Sequence, residues 1–62
     1  MKYEMFPSWE KAMSAIEKNP LSYWYSQIAK GSEVLVYQNV RTKQIMLTDT
    51  AIELSGWEAV EF

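Results

Sequence analysis

The 62-residue sequence contains no cysteine and no histidine. Disulfides, thiolate or imidazole zinc sites, and Ser-His or Cys-His nucleophilic pairs are therefore all excluded. Glycine and proline are scarce, two of each. Gly31 and Gly56 stand isolated; they form no phosphate-cradling loop and are better suited to a turn or a helix stop. No long apolar run and no charged start followed by an apolar stretch occurs, so neither a membrane span nor a secretory signal is expected. Absent cysteine fits a cytoplasmic setting. Six Lys and Arg against eight Asp and Glu give a net charge of −2 without a run of either sign. Arg41 with Lys43 is the one local cationic pair, too little for the counterion release that drives nucleic-acid binding. Nucleic acid and membrane are thus set aside as partners.

What the sequence does have is aromatic area: three Trp, four Tyr and two Phe, within 48% hydrophobic residues. A chain of this length forms one domain, residues 1–62, and buries only roughly 60% of the surface its unfolded form exposes. With no covalent or metal staple, close aromatic packing and self-association remain as sources of stability.

The clearest periodicity runs from Ser8 to Lys18. Trp9, Ala12, Met13 and Ile16 fall at i, i+3, i+4 and i+7, with Ser8 as N-cap and Asn19-Pro20 as the stop. Leu21 to Gln27 supports two assignments. Asn19 as cap, Pro20 in the first turn, Leu21, Trp24, Tyr25 and Ile28 at helical spacing, and Gly31 as terminator describe a helix. The β-forming Tyr23-Trp24-Tyr25 and the alternation of Leu21, Tyr23 and Tyr25 with Ser22 and Ser26 describe a strand. Glu33–Gln38 and Lys43–Thr48 make a β-hairpin around Asn39-Val40-Arg41-Thr42. Thr50-Ala51-Ile52-Glu53 fits a capping box and Leu54-Ser55-Gly56 a stop, which predicts a short helical turn before a last strand, Trp57 to Phe62. In the first hairpin strand Val34 and Val36 face one way and Leu35 and Tyr37 the other. Both faces being apolar, one is expected to be closed by another element, a ligand or a second copy, so a homo-oligomer is predicted.

No arrangement of nucleophile, base and oxyanion donor is present, so the chain is expected not to be an enzyme and to need no cofactor or metal. Glu53, Glu58 and Glu61 suit solvated surface positions better than a carboxylate pair. Tyr23, Trp24 and Tyr25 suit either core packing or stacking on a flat ligand, and Arg41 and Lys43 either a solvated loop or contact with phosphate. These five are the candidate ligand-binding residues.

Phe6-Pro7-Ser8-Trp9-Glu10-Lys11-Ala12 at one end and Leu47-Thr48-Asp49-Thr50-Ala51-Ile52-Glu53-Leu54-Ser55-Gly56-Trp57-Glu58-Ala59-Val60 at the other resemble small phage proteins that include the Thoeris anti-defence sponges. The middle, around Asn19-Pro20-Leu21, departs from that pattern. The resemblance implies a phage or prophage accessory protein, acting in the host cytoplasm, that sequesters a cyclic ADP-ribose-type, nucleotide-derived signal. A protein-binding inhibitor of a host defence protein, of the anti-CRISPR type, and a structural phage protein are the alternatives. The resemblance also tilts Leu21 to Gln27 toward strand. The fold expected is α+β: an N-terminal helix packed on an antiparallel sheet of three to four strands, with a short extra helical turn.

Overall fold

Ser8 opens the first helix in the computed structural model, which describes residues 2–61. Its side chain accepts a hydrogen bond from the Lys11 N–H, satisfying one donor that the first turn leaves free. The helix, α1, spans Trp9–Glu17. Ala12 and Ile16 are buried, and Trp9 and Met13 pack against them, so the periodic face is the core face.

The ambiguous middle is a helix, α2, Tyr23–Ala29. The strand tilt given by the resemblance does not hold, and neither does the start at Asn19. Asn19 closes a turn instead: its carbonyl accepts from the Ser22 N–H and its side chain from the Leu21 N–H. Ser22 then caps the helix by accepting from the Tyr25 N–H. Gly31, at φ 80, ends it, with the Ser32 N–H bonded to the Gln27 carbonyl and the Gly31 N–H to that of Ile28. Those two bonds form a Schellman motif, which favours glycine at this left-handed position. Burial follows the helical spacing: Trp24 is enclosed, whereas Leu21 is 93% exposed.

Four strands complete the α+β fold: β1 (Tyr3–Phe6), β2 (Leu35–Asn39), β3 (Ile45–Thr48) and β4 (Trp57–Val60). The sheet order is β1-β3-β2-β4 and every pairing is antiparallel. The sequence pattern predicts no strand at β1, whose four residues offer too short an alternation. The expected last strand holds from Trp57 to Val60, and its end at Phe62 lies outside the described residues. The β2–β3 loop closes through a Lys43 N–H to Asn39 carbonyl bond, with Lys43 left-handed at φ 66 and the Asn39 side chain accepting from Arg41 and Thr42 N–H.

Alternate side chains place Phe6, Val36, Ile45, Leu47 and Val60 on the face beneath both helices, where they form the core with Ala12, Ile16 and Trp24. Tyr3, Met5, Tyr37, Met46, Thr48 and Trp57 share the other face. No helical turn forms at residues 50–55, contrary to the capping-box expectation. Strands β3 and β4 flank β2 and run parallel to each other, so residues 49–56 must return across the sheet. That path is about 16 Å from the strand rise and spacing, which eight residues span without full extension. The segment crosses without regular structure, with bends at 49–50 and a turn at 55–56. It is pinned by the Thr48 hydroxyl, which donates to the Thr50 carbonyl and accepts from the Thr50 N–H, and by the Ile52 N–H donating to the Tyr37 hydroxyl. Val36 and Tyr37 are both buried, Val34 and Leu35 half-buried. The two-sided apolar strand is covered from within, so it does not itself call for a second copy.

Replacing Ile16 by Ala is expected to cost about 2–5 kcal/mol, a large share of what so small a core supplies. Denaturant unfolding measures it; a change under about 0.5 kcal/mol would mean that this face is not the core face.

Candidate functional site

The five sequence candidates do not come together. Trp24 is 2% exposed, and its Nε1–H donates to the Glu4 carboxylate at 3.2 Å. A ring so enclosed cannot offer a face to a ligand. Tyr23 meets it edge-on, with ring centroids 4.9 Å apart. The Tyr23 hydroxyl donates to Asp49 Oδ2 at 3.0 Å, and Lys2 Nζ lies 4.8 Å above the ring. Tyr25 is the one of the three whose ring is exposed, at 40%. Arg41 and Lys43 sit in the β2–β3 loop, while Tyr23 and Asp49 meet beyond the opposite end of β3. An aromatic from 23–25 and a cation from 41–43 thus stand at opposite ends of the sheet, and the joint stacking-and-phosphate site expected from the sequence is not assembled there.

Asp49 has a structural part. It accepts the Lys2 backbone N–H, the Tyr23 hydroxyl and the Thr50 hydroxyl. The Lys2 bond first, then that from Tyr23, holds its carboxyl below the usual carboxylate range. The same Asp49 bond, with smaller help from desolvation, raises the Tyr23 phenol above its ordinary value. One carboxylate so ties the start of β1, the start of α2 and the end of β3.

The helix-free face carries a feature that the sequence reading missed. Tyr3, Met5, Met46, Ile52, Leu54 and Trp57 line an apolar cleft of about 370 Å³. Strands β1 and β3 supply its floor and the 49–56 segment one wall. The Trp57 N–H bonds the Leu54 carbonyl across a turn with Gly56 at φ 87, which sets Leu54 and Trp57 at one end. Ser55 and Gly56 of that turn also border a second hollow with Arg41 and Thr42. Arg41 therefore neighbours this cleft's end, not the Tyr23 cluster. The cleft draws on strands remote in sequence, so no local motif announces it; the alternation of Tyr3 and Met5 was the available signal. No family model, curated protein or solved structure matches the chain. Among the described residues, no helix is long and apolar enough to cross a membrane.

Two outcomes are expected. Trp24→Ala should cost about 3–5 kcal/mol in denaturant unfolding, whereas exposed Tyr25→Ala should stay within about 1 kcal/mol; similar losses would contradict the separation of the two rings. The lowered Asp49 pKa contributes stability above the unfolded carboxylate range that is lost as pH falls through the folded value. The raised Tyr23 pKa contributes below pH about 10 and is lost as pH rises through its folded value. Asp49→Ala should accordingly melt below wild type at neutral pH and converge with it in acid; a gap independent of pH would remove this account.

Proposed function

We propose that this protein acts by non-covalent binding and sequesters a nucleotide-derived small molecule, with a flat ring held in the cleft of the helix-free face and phosphate met by Arg41 in the adjoining loop. The observation that carries this reading is the cleft itself. Its volume falls in the range of small-molecule sites, about 300–1,000 Å³, and it pairs two aromatic rings with adaptable methionines. A cleft of this size suits one ring system, leaving the rest of the molecule to lie toward Arg41 and Thr42. The resemblance of both chain ends to phage sponge proteins supports the same class, a phage or prophage accessory protein that blunts host defence from the cytoplasm. This assignment replaces Trp24 by Trp57 as the stacking ring and retains Arg41. Lys43 keeps a backbone role at its left-handed position.

One observation favours the protein-inhibitor alternative. Tyr25 and Ile28 on the outer side of α2, and Leu21 in the turn before it, are all exposed, and neighbouring exposed apolar side chains suit a protein contact.

Titration calorimetry with cyclic nucleotides, together with mass spectrometry of whatever denaturation releases, tests the choice. Trp57→Ala should weaken binding about five- to a hundredfold, the loss of one stacked base. Arg41→Ala should weaken it and flatten its salt dependence. If no nucleotide binds, while Leu21→Asp abolishes association with a host protein, the inhibitor reading takes its place.

A further inference from the structure

The register of β4 fixes which of its backbone groups are used. The Val40 N–H donates to the Gly56 carbonyl, and residue 40 stands opposite 56 by extension of the Val36↔Val60 register. Bonded and non-bonded pairs alternate along an antiparallel ladder. Gln38 with Glu58 and Val36 with Val60 are therefore the bonded pairs, and the backbone groups of Trp57, Ala59 and Glu61 point away from β2. The Trp57 N–H is occupied by Leu54. The outward edge thus offers the Trp57 carbonyl, both groups of Ala59 and the Glu61 N–H. Strand β4 is an outer strand of the sheet and pairs with β2 on its inner side. The β4 edge carries no proline and no lysine, so its blunting is limited to its four-residue length and the carboxylates of Glu58 and Glu61.

From this geometry we infer that the outer edge of β4 pairs antiparallel with the same edge of a second copy, about a two-fold axis at Ala59. The edge is self-complementary in that register. Each Ala59 exchanges both backbone bonds with the partner's Ala59, and each Glu61 N–H reaches the carbonyl of the partner's Trp57. Side chains agree with it: Glu58 stands opposite the partner's Val60 and Glu61 opposite the partner's Trp57, so no carboxylate directly faces another. A second copy is favoured over an unrelated peptide because one short segment supplies donors and acceptors in matching positions to itself. The result is a closed two-fold dimer whose two sheets join into one of eight strands. The inference rests on backbone register alone and is independent of the ligand proposed above.

Analytical ultracentrifugation of the full chain over a concentration series should show a reversible monomer–dimer equilibrium. Added salt should strengthen it, because each copy carries −2. Ala59→Pro removes an N–H that no bond within the chain uses, a placement edge strands tolerate. It should weaken the dimer about tenfold to a hundredfold, from two lost bonds per dimer, with the circular dichroism of the fold retained. Should that variant not fold, the cysteine-free background supplies another measurement. Residues directly opposite in a bonded antiparallel pair have Cα atoms about 5.5 Å apart, within disulfide reach. Ala59→Cys should therefore cross-link two chains on mild oxidation much faster than Glu58→Cys. A wild-type protein monomeric at every concentration, a dimer indifferent to Ala59→Pro, or equal cross-linking at both positions would each overturn the inference.

Discussion

The burial of Trp24 is the contact on which the rest of the fold depends. A small domain gains most from its largest side chain, and this indole fills the space between both helices and the sheet. Burial also requires a partner for its N–H, because an unsatisfied donor would cost about 1–3 kcal/mol. Glu4 supplies that partner from β1. The choice of Trp24 as the inward residue fixes the rotation of α2, which turns Tyr23 toward Asp49 and leaves Tyr25 and Ile28 outside. A single rotation thus separates the three consecutive rings into an enclosed ring, a ring at the helix end and an exposed one.

The second constraint is topological. Because β2 lies between β3 and β4, the chain has to return across the sheet, and the helices already occupy one face. The segment at 49–56 covers Tyr37 and leaves part of the remaining face open toward Tyr3 and Met5. The same crossing accounts for two observations at once: the burial of both sides of β2, and a cleft walled by Ile52 and Leu54.

Features carried by short-range chemistry were legible in the sequence. The face of α1, its Ser8 cap, the hairpin loop at Asn39 and the glycine stop at Gly31 each follow from residues within one or two turns. Features decided by distant partners were not. Residues 21–27 satisfy both a helical and an alternating pattern, and only the demand for one deeply buried ring selects between them. The capping-box pattern at Thr50 to Glu53 is locally sound, yet the Thr50 carbonyl is taken by the Thr48 hydroxyl and the Ile52 N–H by that of Tyr37. β1 becomes a strand because the edge of β3 is there to pair with. The candidate site divided in the same way. Individual rings and cations could be named, but whether they share an end of the sheet depends on pairings more than forty positions apart.

Those pairings carry a consequence for how the chain reaches its native state. The first strand joins the sheet by pairing Tyr3 with Thr48, so β1 is synthesised before the strand that completes it. The hairpin of β2 and β3 and the two helices are local and can form early, while the closure of β1 carries the long loop entropy that slows folding. Until that closure Trp24 lacks Glu4, so a nascent chain still short of β3 holds its largest ring in an environment without its hydrogen-bond acceptor in place. Folding of this unit therefore waits for the synthesis of β3.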